Sequence, residues 1–161
     1  MLGPLHDGDL PFPVKYGYCA VGVVEEGPDH LAGRTVFLLG PHQDRIVVPA
    51  EALVPVPDAV PARRAILAAN METAINAHWD AGTGPGDRIV VVGAGIVGLL
   101  AASLAARLPG AEVVAVDPEP SRGPIADALG VAWAAEAPAE GWADVVLHAS
   151  ATQEGLASAL S

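Results

Sequence analysis

The sequence predicts an α/β fold: a doubly wound parallel sheet of about four strands, preceded by a region of strands and turns alone. Three observations predict it. Residues 83–161 alternate short β-branched runs with Ala- and Leu-rich stretches of helical length, the pattern of successive βα units. The first of those runs breaks into Gly93-x-Gly95-x-x-Gly98, a strand-to-helix turn. Residues 1–60, by contrast, carry strand and turn signals only. The chain therefore divides into 1–60, a connecting helix over 61–82, and the parallel-sheet segment 83–161.

Each element has a local reason. Residues 1–13 are rich in Gly and Pro and are read as irregular. Val14 to Glu25 holds Tyr16, Tyr18, Val21, Val23 and Val24 around Gly17 and Gly22, a strand whose glycines mark bends. Arg34 to Leu39 and Arg45 to Val48, ahead of Pro49, are two further strands, and Pro55, Pro57 and Pro61 punctuate a connector over Val54 to Pro61. Pro61 suits a helix start, and Ala62 to Ala81 has helical composition without a breaker. Thr83 to Gly86 turns the chain into a strand over Arg88 to Val92, followed by a helix over Ile96 to Leu108 and a second strand over Glu112 to Val116. Ser121 is the expected N-cap of a short helix to Leu129, with Pro124 tolerated in its first turn and Gly130 as its stop. Val131 to Ala134 and Ala143 to Ala149 are the third and fourth strands, and Gln153 to Leu160 begins another helix.

Composition narrows the partners. Eight Lys and Arg against nineteen Asp and Glu give a net charge of −11, so nucleic-acid phosphates and anionic lipid heads are repelled. A small anion is still acceptable, because a helix dipole and one local Arg suffice to hold it. Cys19 is the only cysteine, which excludes an internal disulfide and a Cys-rich zinc site in this sequence. No apolar run reaches the roughly 18 to 20 residues that span a bilayer, and no basic-then-apolar leader opens the chain. The expectation is a soluble protein of a reducing compartment, the cytoplasm.

The glycine turn carries the chemistry. Gly93 permits the tight turn, Gly95 lets backbone approach a pyrophosphate, and Gly98 lets helix and strand pack closely. Ile96, Val97 and Gly98 form the first helical turn, whose free N–H groups and dipole favour an anion. Asp117 closes the next strand 19 residues after Gly98. A carboxylate there accepts from a ribose 2′-hydroxyl and repels a 2′-phosphate, so NAD(H) is expected in preference to NADP(H).

The segments Tyr16 to Gly27, Gly33 to Phe37, Ile46 to Ala50 and Gly84 to Arg88, followed by the glycine turn, resemble in order and spacing the medium-chain dehydrogenase/reductase family. The resemblance implies part of a GroES-like β-barrel catalytic domain joined to a Rossmann-type coenzyme domain. It also implies a segment truncated at both ends, its Rossmann-type sheet incomplete at about four strands, with an oligomer open to the full-length form. Where zinc-dependent members carry Gly-His-Glu this sequence has Gly17-Tyr18-Cys19, a second expected ligand position falls near Ala68, and the four-cysteine loop is absent. A zinc-independent member, with no zinc site, is therefore expected.

Without a metal, a side chain or water must supply the proton that accompanies hydride transfer. Tyr18, at the position the resemblance gives to a ligand, and His42, on a loop implied to border the cleft, are the candidates, each weighed against a core tyrosine and a solvated histidine. Cys19 is read as an inert buried thiol, and His78 and Trp79 as residues packing at a helix end. Thr73, beside Glu72, is a cofactor-contact candidate by resemblance. Arg122 is a candidate for the adenosine ribose or adenine face, and Ser150, after the fourth strand, for the nicotinamide ribose; His148 is read as structural. The expected reaction is hydride transfer between a nicotinamide and a small alcohol, ketone or activated alkene. The same residues would serve a non-catalytic NAD(H)-binding module or an inactive remnant.

Overall fold

Contacts along the backbone divide the chain into two units, 1–67 and 68–161. The computed structural model describes residues 15–161, and the irregular stretch expected over 1–13 lies outside the described residues.

In the first unit, β1 (Cys19–Val23), β2 (Thr35–Leu39) and β3 (Val54–Pro55) form an antiparallel sheet in that order. Cys19 faces Leu39, Val23 faces Thr35 and Val36 faces Pro55. Side chains alternate across a strand, so Val36 and Leu38 bury on one face of β2, while Cys19, opposite Leu39 in the register, is buried on the other; Leu31 and Val56 are buried as well. The expected strand over Arg45 to Val48 does not form. Val47 is fully exposed there, and Pro41 and Pro49, which lack a ladder donor, bracket the run. The third strand instead comes from the segment read as a connector, where Pro55 is accepted because β3 is the outer strand of the three.

The helix expected over 62–81 is broken. α1 (Ala62–Ala65) packs on β1, and α2 (Ala68–Ala81) belongs to the second unit. No Gly or Pro marks the break; at Ile66 and Leu67 the chain tightens, with Leu67 N donating to Arg64 O at 3.1 Å.

The second unit runs β4 (Arg88–Val92), α3 (Ile96–Ala105), β5 (Glu112–Val116), α4 (Gly123–Ala128), β6 (Ala132–Ala134), β7 (Val145–His148) and α5 (Gln153–Leu160). Its four strands are parallel in the order β6-β5-β4-β7. The central position of β4 explains its unbroken apolar sequence, since both faces are covered. Ile89 and Val91 bury against Ala74, Leu99, Ala102 and Ala105 on one face, while Val90, Val92 and Val116 meet Trp142 and Ala159 on the other. Small residues let α2 lie close on α3, and His78 fastens the pair. Its Nε2–H donates to Ala101 O at 2.8 Å, which leaves Nδ1 to accept from the Thr83 hydroxyl at 2.9 Å.

Two local expectations are corrected. Trp79 does not pack at the helix end but is 75% exposed, because adjacent helical residues point about 100° apart and His78 takes the inward direction. Ser121 does not cap a helix. A 3₁₀ turn over Pro120–Arg122 comes first, capped by Glu119, whose carboxylate accepts from Ser121 N at 3.1 Å.

Candidate functional site

The carboxyl ends of β4, β5 and β7 converge on the glycine turn. At the end of β4 the chain turns at Gly93 with φ of 101°, and Gly93 N donates to Val116 O at 2.7 Å, tying the turn to β5. A methyl group on Gly93 would sit 2.6 Å from the Ser150 backbone, so the loop after β7 closes directly onto the turn. A methyl on Gly98 would sit 1.8 Å from Gly93 O, which makes glycine obligatory where helix meets turn. Gly95 differs: its φ is −76°, and a methyl there would meet nothing within 4 Å. The space above it is open.

Gly95 is the N-cap of α3 and brings no side chain to the free N–H groups of Ile96, Val97 and Gly98, nor does an acid stand in that first turn. Ile96 is 61% exposed at the mouth and Val97 is half-buried. An open surface over a side-chain-free helix start fits a pyrophosphate, held by backbone donors and the dipole.

Asp117 stands at the end of β5, and its backbone N donates to Ala134 O at 3.0 Å. Its Oδ2 accepts from Ala94 N at 2.8 Å and its Oδ1 from Glu119 N at 2.9 Å. A carboxylate offers about four lone-pair directions, so two remain for a ribose hydroxyl. Arg122 lies half-buried in the following 3₁₀ turn, near Glu119. Backbone and side-chain bonds from Ser121 hold the Glu119 carboxyl below the usual range.

Beyond β7, Ser150 Oγ is hydrogen-bonded to His148 Nε2 at 2.7 Å and to Thr152 Oγ1 at 3.1 Å. Thr152 Oγ1 accepts from Gly155 N at 3.0 Å and so caps α5. The structure thus brings Gly93, Gly95, Gly98, Asp117 and Ser150 to one end of the parallel sheet. Thr73, on α2, donates its hydroxyl to Ala69 O at 3.2 Å.

In the first unit, Tyr18 is 63% exposed and so is not a core tyrosine. Gly40 N donates to Tyr18 O at 3.0 Å and His42 N to Tyr16 O at 2.9 Å, so backbone bonds bring the Tyr18 and His42 segments side by side. The His42 ring lies over Gly17, where a methyl would approach it to 2.5 Å. Cys19 is buried, with its Sγ 3.7 Å from Ile66 O.

Sequence reasoning missed the Ala94 N–H as a partner of Asp117 and Thr152 as a cap. The second was signalled by a Thr immediately before the helical run, with Glu154 in its first turn. The first had no signal, because the partners are 23 residues apart.

Residues 88–159 match the FAD binding domain family. Among solved structures, the chain is similar to alcohol dehydrogenase TADH from Thermus sp. ATN1, at 32% identity and a TM-score of 0.59, over 67% of this chain and 36% of that one. It is similar to the quinone oxidoreductase of Thermus thermophilus, solved also in complex with NADPH, at 26% identity and a TM-score of 0.57, over 82% and 40%. L-idonate 5-dehydrogenase from Escherichia coli K-12 shares the fold at 19% identity and a TM-score of 0.73, over 90% and 55%. The chain spans 36 to 55% of the length of these three proteins. Its α/β fold, a Rossmann-type parallel sheet of four strands beside a three-stranded antiparallel sheet of the GroES-like kind, is the fold of such neighbours. The three neighbours described are dehydrogenases or oxidoreductases, of the kinds that the family resemblance implies.

Proposed function

We propose that this chain carries the coenzyme-binding sheet and part of the catalytic domain of a medium-chain-type oxidoreductase, zinc-independent and using NAD(H) in preference to NADP(H). The observation that carries the reading is the open, side-chain-free turn at Gly95 with Asp117 at the end of the adjacent strand. Backbone N–H groups of Ile96, Val97 and Gly98 would hold the pyrophosphate, and the free lone pairs of Asp117 would accept from the adenosine ribose. Arg122 would lie toward the adenine, with Ser150 and Thr73 toward the other half. Bound nicotinamide supplies or accepts the hydride. Tyr18, exposed and free of a core role, or His42 in the adjoining segment would exchange the proton at the substrate oxygen.

The quinone oxidoreductase neighbour is solved with NADPH, so the dinucleotide preference is the sharper part of the proposal. A 2′-phosphate here would meet a carboxylate held by two backbone donors. Asp117→Ala is expected to weaken NADH binding and narrow the gap to NADPH in a fluorescence titration. If the parent protein already binds both equally, the carboxylate argument is wrong.

The absence of zinc is argued from Tyr18 and Ala68 at positions the resemblance gives to ligands. Near-stoichiometric zinc surviving dialysis, read by elemental analysis, would overturn it. The substrate is a small molecule, and neither nucleic acid nor membrane suits a chain of net charge −11. Among the described residues no helix is long and apolar enough to cross a membrane, and the buried lone Cys19 suits a reducing compartment such as the cytoplasm. NADH oxidation with aldehydes, ketones and quinones separates the enzyme from a non-catalytic module: binding without turnover on any of them favours the module.

The family match over 88–159 favours one second reading, a flavin dinucleotide. Both cofactors present the same ADP moiety to this kind of turn, so the turn alone does not separate them. FAD bound more tightly than NADH in the same titration would select the flavin.

A further inference from the structure

The two oxygens of Asp117 are engaged by two different segments. Oδ2 takes the N–H of Ala94, inside the glycine turn after β4, and Oδ1 takes the N–H of Glu119, in the loop after β5. Ala94 is wholly buried, so its N–H has no water as an alternative partner. The carboxylate is itself anchored, because the Asp117 backbone donates to Ala134 O at 3.0 Å and the preceding Val116 O accepts from Gly93 N at 2.7 Å. One acidic side chain thus spans the tips of two neighbouring strands and fixes the residue between Gly93 and Gly95.

We infer that Asp117 is a positioning residue for the phosphate turn as well as a ribose ligand: its carboxylate fixes the Ala94 N–H and thereby the path of Gly93 to Gly95. The inference deepens the proposed dinucleotide site and rests on it for its functional consequence, while the latch itself stands on the protein's own geometry. The consequence is coupling. Replacing the acid by a residue without an acceptor, to admit a 2′-phosphate, also strips a buried donor of its partner, so such a change of coenzyme preference loosens the turn proposed to hold the pyrophosphate. An amide separates the two roles: Asn keeps one oxygen acceptor for the buried Ala94 N–H and gives up the negative charge, while its NH2 replaces the oxygen that accepts from the exposed Glu119 N–H, which turns to water.

The test compares the parent protein with Asp117→Ala and Asp117→Asn. Amide hydrogen exchange at Ala94, without nucleotide, is expected to quicken about ten-fold in Asp117→Ala and largely recover in Asp117→Asn, with Val91 protection as the control for folding. The probe for the turn is NADH lacking the adenosine 2′-hydroxyl, which removes the ribose contact. Its affinity is expected to fall about ten-fold in Asp117→Ala and to recover in Asp117→Asn, whereas a ribose-only role leaves it unchanged. Equal Ala94 exchange in all three proteins overturns the latch. Should Asp117→Ala lose its Val91 protection, the parent protein decides alone, by a through-hydrogen-bond scalar coupling between the Ala94 nitrogen and the Asp117 carboxylate carbon; its absence overturns the latch. Failure of the parent to bind either NADH or the analogue refutes the dinucleotide reading, and the exchange and coupling measurements still decide the latch.

Discussion

Ala151 has a φ of 56°, the single positive value at a non-glycine among the described residues, in the loop that closes on Gly93. A Cβ in this region costs about 1 kcal/mol or more, so Ala151→Gly is expected to stabilise the protein by about that amount, read as a higher urea midpoint at unchanged slope. A lower midpoint would show that the loop does not hold this conformation. The three glycines of the turn make a sharper set. Gly98→Ala drives a methyl onto Gly93 O and is expected to unfold the second unit or shift its helix, with loss of several kcal/mol. Gly95→Ala meets no protein atom, so it should cost less than about 1 kcal/mol in stability yet weaken dinucleotide binding. Spacing alone made the turn at Gly93 and the close packing at Gly98 legible, because a positive φ and a helix pressed on the turn each demand glycine, whereas the roles of Gly95 and Asp117 belong to the proposed dinucleotide site. The outward direction of Trp79 and the bond between Asp117 and Ala94 were not legible, since both depend on what packs opposite.

At the scale of elements, the parallel strands were read nearly to the residue. β4 and β5 sit within runs of β-branched residues that Gly, Pro and charge delimit. The antiparallel sheet was read less well: a two-residue strand such as β3 has no periodicity to detect, and its pairing with β2 is a long-range event. The helix break at Ile66 likewise follows from packing in separate units. β4 and β7 are joined at their starts by Arg88 and Asp144. Nε and Nη2 of Arg88 donate to the carboxylate at 3.1 and 3.0 Å, its backbone N donates at 2.9 Å, and its guanidinium lies 5.9 Å from the Trp142 ring. The side-chain bond from Arg88, aided by its backbone N–H, holds the Asp144 carboxyl down to about 2, from an ordinary 3.8. A depressed acid stabilises the fold above its unfolded value and loses that contribution as pH falls, here between about 4 and 2. An NMR titration of the Asp144 carboxyl should show this, and Arg88→Gln should return it toward the ordinary range. A midpoint unmoved by Arg88→Gln would remove the brace from the account.

Across the whole molecule, a net charge of −11 is compatible with the proposed anion site, because backbone N–H groups at one helix start, and not basic side chains, would supply the attraction. The chain spans about half or less of the oxidoreductases it is similar to, and its two units carry different parts of the proposed reaction: Tyr18 and His42 in the first, the glycine turn and Asp117 in the second. Substrate choice is therefore the least legible part of the proposal, and the dinucleotide turn the most. The most direct test is a titration of the parent protein and Gly95→Ala with NADH, followed by fluorescence. Expected are saturable binding to the parent, tighter than for NADPH or FAD, and a loss of about ten-fold or more in Gly95→Ala, which stays folded with only a slightly lowered thermal stability. No binding by the parent, or equal binding by a folded Gly95→Ala, would contradict the placement of a dinucleotide on this turn.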